Sequence, residues 1–177
     1  MASELKLDLI VLDCPDALEL SAFYGRLLGW ELEDGASRDF ATLAPPGGGI
    51  SPTNPDGRAT LAFQRIEDWV PPTWPGGEHP QQFHLDLSTP DIDAAEPDVI
   101  AAGGQRHEHQ PSTNGGFRVF LDPVGAPLLP DPGLRSAIRA AASPAALSTR
   151  RRRRRGGAND ELGSQLAPAV GRRPVQH

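Results

Sequence analysis

A chain of 177 residues has room for one ordinary domain, or for two small fused modules that share a core. Its charge is unevenly distributed. Residues 1–130 carry twenty acidic and seven basic side chains, a formal −13, whereas residues 131–177 carry three acidic and ten basic ones, a formal +7. All ten aromatic residues lie at or before Phe120, so a folded unit is expected over about residues 4–130, followed by a basic, disordered tail over 131–177. The acidic body argues against specific nucleic-acid binding. No apolar run approaches the roughly 20 residues that span a bilayer, so no membrane partner is expected. The first residues lack an export-signal pattern and the single cysteine cannot form an internal disulfide, which together point to the cytoplasm.

In chain order, Leu5 to Leu12 is rich in leucine and β-branched residues and closes at Asp13-Cys14-Pro15, the pattern of a buried strand. Asp16 then supplies an N-cap, with Glu19 three residues on. Leu20, Phe23, Tyr24, Leu27 and Leu28 recur at helical spacing, and Gly29 supplies the stop. Trp30 to Glu33 and Phe40 to Ala44 predict two strands around an Asp34-Gly35 turn. A glycine- and proline-rich loop over 45–57 leads to a further strand at Ala59 to Ile66. The first module therefore covers residues 4–66.

Residues 67–81 form a connector holding Pro71, Pro72, Pro75 and Pro80, with Trp69 and Trp74 among them. Proline resists helix and favours extended chain, and the two tryptophans are too costly to leave in water, so they should fold back as a lid or staple. A second module over 82–130 restarts the pattern. Its strand at 82–88 feeds a helix whose stripe is Ile92, Ala95, Val99 and Ile100, ended by Gly103-Gly104. A shift of 74 positions brings Gly29 onto Gly103 and Ile10 onto His84. Pro97 lies inside the helical pattern and predicts a late start or a bend. Strands at Gln105 to Gln110 and Phe117 to Asp122 follow, and Asp122-Pro123-Val124-Gly125 predicts a turn.

Five strings carry a resemblance. They are Val11-Leu12-Asp13-Cys14-Pro15-Asp16, Phe23-Tyr24-Gly25-Arg26-Leu27-Leu28-Gly29-Trp30, Leu61-Ala62-Phe63-Gln64-Arg65-Ile66, His84-Leu85-Asp86-Leu87 and Phe117-Arg118-Val119-Phe120-Leu121-Asp122-Pro123. In order and spacing they resemble the glyoxalase-like branch of the vicinal oxygen chelate superfamily (the glyoxalase, bleomycin resistance protein and dioxygenase type), across most of residues 7–125. The resemblance implies an α+β fold of two βαβββ modules whose curved mixed sheet encloses a small-molecule site, and it brings metal-dependent lyase, isomerase and dioxygenase chemistry with it. Family metal ligands lie on the first and last strand of each module. His84 fits such a position and Gln64 stands where a carboxylate is expected, while Leu9, Ile10 and Val11 offer no ligand. After Gly125 the chain reads Ala126-Pro127-Leu128-Leu129-Pro130, without a glutamate, so the last strand of the second module is expected to be absent, or replaced by the tail or a partner chain. The residues after about 126 are accordingly expected to be a changed ending.

His84 and Asp86 alternate onto one strand face and could contact a ligand or form an acid–base pair. Arg118 could clamp an anionic group or pair with one of the many acids. His107 and His109 share a face at chelating spacing on a polar edge. Cys14 sits near a helix N-terminus, where its thiol would acidify, or is simply buried. The expected lining is His84, Asp86, Gln64, Arg118, Phe120 and Trp30, closed over by Trp69 or Trp74. The leading expectation is a metal-independent small-molecule-binding protein in which no cofactor is required. The enzyme alternative is a metal-dependent lyase, isomerase or dioxygenase using a divalent metal on His84, with Gln64 as a weaker ligand and the rest supplied by a second chain or by other residues. A homodimer is open to either reading. An interaction protein acting through Arg150 to Arg155 is the third.

Overall fold

The computed structural model describes residues 5–133, so the arginine run and the rest of the tail from residue 134 lie outside the described residues. Strand β1 (Leu9–Cys14) leads into helix α1 (Ala17–Leu28). The Asp16 carboxylate caps the helix by accepting the backbone N–H groups of Leu18 and Glu19 at 3.0 and 3.1 Å, a contact worth about 1 kcal/mol. Gly29 ends it in the left-handed region, at φ 65°. Strands β2 (Glu31–Leu32), β3 (Phe40–Ala44) and β4 (Thr60–Arg65) complete a four-stranded sheet in the order β1-β4-β3-β2, with β1 parallel to β4. Leu5 and Leu7 stay outside β1 because β4 begins at Thr60, directly opposite Leu9; earlier residues have no strand to pair with.

The second module repeats this plan with β5 (Leu85–Ser88), α2 (Ile92–Ala102), β6 (Gln105–Arg106), β7 (Phe120–Leu121) and β8 (Pro127–Asp131), ordered β5-β8-β7-β6. The fold is therefore α+β, two βαβββ modules each with a mixed sheet, as expected. The expected loss of the last strand is corrected: β8 is present and central, parallel to β5 and antiparallel to β7. Its prolines fit for a geometric reason. Pro127 opens the strand, where a missing N–H costs little. The Pro130 carbonyl accepts from Arg118 N at 3.1 Å, so the missing N–H of Pro130 also faces the β7 side, beyond the last β7–β8 pair. The chain through Asp131 thus belongs to the fold, and the expected changed ending after 126 is corrected with it.

Two further differences have local causes. Helix α2 starts on time despite Pro97, because Asp91 caps it through Asp93 N and Ala94 N at 2.9 and 3.1 Å. Strand β6 ends at Arg106: one more backbone bond follows, His107 N to the Val119 carbonyl at 3.1 Å, and the Gln110 side chain then takes the Val119 N–H at 2.9 Å in place of a backbone carbonyl and shares the Val119 carbonyl at 2.8 Å.

One apolar cluster runs through both modules, joining Leu12, Leu20, Phe23 and Phe63 of the first to Val99, Phe120 and Leu128 of the second. Tyr24 stacks on Phe63 at 5.6 Å and meets Phe23 edge-on at 4.9 Å. Two polar contacts pin the modules together: Tyr24 Oη donates to Asp122 Oδ2 at 3.0 Å, and Arg26 Nη2 to the Ala102 carbonyl at 2.8 Å. Among the described residues, no helix is long and apolar enough to cross a membrane.

Candidate functional site

Strand order decides where a site can form. β1 and β5 are the outer strands of their sheets, so each leaves one edge unpaired. The connector must travel from the end of β4 to the start of β5, and its prolines keep it out of both sheets. It crosses above the β1 edge and encloses a cleft of about 430 Å³. Val11, Leu12 and Asp13 of β1 form one wall, and Asp122, Val124 and Ala126 of the turn before β8 form the other. Trp69, Val70, Pro72, Gln81 and Phe83 supply the connector side. A second cavity of about 380 Å³ shares Trp69, Asp122 and Val124 with the first, so the indole stands between the two.

Two polar atoms of the connector side are buried without a protein hydrogen-bond partner: Trp69 Nε1, a donor, and Gln81 Oε1, an acceptor. A buried polar atom in that condition typically costs about 1–3 kcal/mol, so both suit a hydrogen-bonding occupant. Asp122 is buried but satisfied. Its Oδ1 accepts from Val124 N and Ala126 N at 3.0 and 2.8 Å, and its Oδ2 from Tyr24. Burial pushes the Asp122 carboxyl above the usual carboxylate range, against the pull of the Ala126 and Tyr24 hydrogen bonds. Burial, then the charge of Asp122, pushes the Tyr24 hydroxyl upward as well.

The residues expected to line a site are dispersed. Trp69 lines the cleft. Trp74 is held away from it, edge-on to His107 at 4.9 Å and tilted against His109 at 5.3 Å. His84 and Asp86 pair through Nε2 and Oδ1 at 3.3 Å and are both well exposed. Register places them on the sheet face away from α2, because Leu85 and Leu87 pack into the core. Gln64 lies opposite Asp13 on the helix-free face of the first sheet, and no hydrogen bond links it to His84. Arg118 turns the other way. It grips Asp93 and Glu96 of α2, the first at 2.7 Å, and the hydrogen bond to Asp93 and the charge of Glu96 raise its already high pKa. Phe120 is fully buried in the core and Trp30 packs against it half-buried.

A divalent metal needs three or four protein donors. Among the described residues, no group of three or more His, Cys, Asp or Glu is placed to hold one. The described residues therefore add no third donor to the His84–Asp86 pair, and by themselves they do not make up the donor set that the resemblance implies. The imidazoles of His107 and His109 form the clasp around Trp74, and His107 Nδ1 accepts the His109 backbone N–H at 3.0 Å. The Cys14 thiol is buried and pushed up to about 11 by that burial, which outweighs the acidifying backbone contact at Asp16. Its surroundings are those of a packed core cysteine.

Of the residues expected to line a site, Trp69, singled out for the cost of exposing it, borders the cleft. Asp13, Glu78, Gln81 and the predicted turn from Asp122 were not expected at the cleft, because they are ordinary strand, loop and turn residues until the connector is laid across β1. The one available signal was Asp122, a carboxylate directly after a buried apolar strand.

The glyoxalase-like domain model matches residues 9–129. No curated protein matches the sequence. Many solved structures share the fold, and two of them serve as examples. A glyoxalase/bleomycin resistance protein/dioxygenase family enzyme from Burkholderia phytofirmans PsJN superposes with a TM-score of 0.51 at 20% identity, over 72% of this chain and 98% of its own. A fosfomycin resistance protein from Listeria monocytogenes, complexed with Mn(II) and 1S,2S-dihydroxypropylphosphonic acid, gives 0.52 at 13%, over 78% and 99%. The family match spans both modules and reaches into β8, and the chain belongs to the glyoxalase-like domain family of the vicinal oxygen chelate superfamily.

Proposed function

We propose that this glyoxalase-like domain binds a small organic molecule in the cleft between β1, the connector and the 122–126 turn. The observation that carries this reading is the pair of buried, unpartnered polar atoms, Trp69 Nε1 and Gln81 Oε1, on residues that line a cavity of about 430 Å³. That volume is in the range of small-molecule sites, and apolar walls with a few fixed polar atoms are their usual construction. Shape and hydrogen bonds suffice for such recognition, so the reading requires no metal. A fragment screen by ligand-observed NMR against wild type, Trp69→Ala and His84→Ala tests it. Hits lost in Trp69→Ala and retained in His84→Ala are expected; the reverse pattern would contradict the cleft.

A second reading has its own observation. The helix-free faces carry exposed apolar side chains, Leu9, Val11 and Phe40, beside Asp13 and Gln64, and the other sheet presents His84 and Asp86. A second copy covering these faces could assemble a shared site with metal-dependent lyase, isomerase or dioxygenase chemistry. Elemental analysis of untreated protein decides it. About one metal equivalent per chain in wild type, lost in His84→Ala, would favour this reading.

A further inference from the structure

We propose that the occupant of the cleft carries a cationic, hydrogen-donating head group, an ammonium or amidinium, on an apolar body. The inference rests on the cleft being the ligand site. It starts from the charge around that cavity. Asp13 and Glu78 both line it, both are exposed, and neither side chain makes a hydrogen bond or ion pair with any described residue. Among the described residues, no lysine or arginine lines the cleft, and His79 is its one basic side chain. Four of the described arginines are engaged elsewhere: Arg38 with Asp16, Arg65 with Asp39, and Arg106 and Arg118 with α2.

The unpartnered atoms agree with the charge. Gln81 Oε1 is a buried acceptor and calls for a donor, which an ammonium or amidinium N–H provides. Trp69 adds an indole face, the best of the aromatic surfaces for attracting a cation, while its Nε1 donor suits one acceptor atom on the ligand body. Val11, Val124, Pro72 and Phe83 supply apolar contact for that body. A carboxylate or phosphonate would meet the Asp13 and Glu78 charges with no lysine or arginine among the described lining residues to receive it.

Three probes with one body and different heads test this: 2-(1-naphthyl)ethylammonium, 2-(1-naphthyl)ethanol and 3-(1-naphthyl)propanoate, titrated calorimetrically into the full chain. Wild type is expected to bind the ammonium about tenfold more tightly than the alcohol, and the carboxylate more weakly still. The double variant Asp13→Asn, Glu78→Gln should bring the ammonium down to the affinity of the alcohol and leave the alcohol unchanged. Both positions are exposed and unpaired, so the melting temperature should hold. If the three probes bind equally or the carboxylate binds best, and all are lost in Trp69→Ala, the cationic head group is overturned and the cleft stands. If no probe binds, or binding survives Trp69→Ala, the cleft reading falls and the proposal with it. Phe83→Ala, at an exposed lining position, replaces Trp69→Ala should that variant not fold.

Discussion

Asp122 ties the site to the fold. One oxygen closes the turn that forms a wall of the cleft, and the other receives the Tyr24 hydroxyl from the opposite module. Its folded pKa lies above the 3.8 of an unburied carboxyl. The folded state therefore holds the proton more tightly than the unfolded one. The associated stability is full below 3.8 and declines as pH rises through the raised value. Tyr24→Phe removes a donor that opposes this decline, so it should destabilise by about 1–3 kcal/mol at neutral pH and by clearly less at acid pH, where Asp122 is protonated. Urea unfolding of variant and wild type at the two pH values measures it; an equal loss at both would contradict the charged, donor-dependent carboxylate. Asp122 was legible in the sequence only as the start of a turn. Its partner lies 98 positions away, and no local pattern reports such a contact. Arg118 was ambiguous for a related reason. Alternation along the strand expected at 117–122 gives parity but not which face the helix covers, and here Arg118, just ahead of β7, meets Asp93 and Glu96.

Among the elements, α1 was readable because its cap, apolar stripe and left-handed glycine agree. β8 was not, because two prolines within Pro127–Asp131 mask a central strand whose tolerance depends on which side each missing N–H faces. Its role is open to direct trial. Ending the chain after Gly125 removes the strand that joins β5 to β7, together with Leu128, whose burial alone is worth roughly 1.5–3 kcal/mol. Against a typical domain stability of about 5–15 kcal/mol, that truncation should abolish cooperative thermal unfolding, whereas a chain ending after Gly133 should keep it. Helix α2 offers a change of opposite sign. Pro97 is exposed at its sixth residue and cannot donate to the Asp93 carbonyl. Pro97→Ala should therefore stabilise by about 1–3 kcal/mol, read as a raised melting temperature; no change would mean that the surrounding helix has fully absorbed the missing bond.

For the molecule as a whole, the sequence disclosed the doubled βαβββ plan because each module repeats the same order of strand, helix and glycine stop. The candidate site was less legible, since it lies where the β1 edge and the 122–126 turn meet a connector whose path no periodicity encodes. That connector brings Trp69 beside Asp13, Glu78 and the 122–126 turn, residues spread over more than a hundred positions. The direct test follows the Trp69 indole N–H. The chain has three tryptophans, so its amide spectrum contains three indole signals, assigned by Trp69→Phe and Trp74→Phe. On titration with 2-(1-naphthyl)ethylammonium, the Trp69 signal should shift in proportion to occupancy while Trp30, packed against the core, stays fixed. Shifts confined to His84 and Asp86 on the helix-free sheet face, with the Trp69 signal unmoved, would contradict a ligand site beneath the connector.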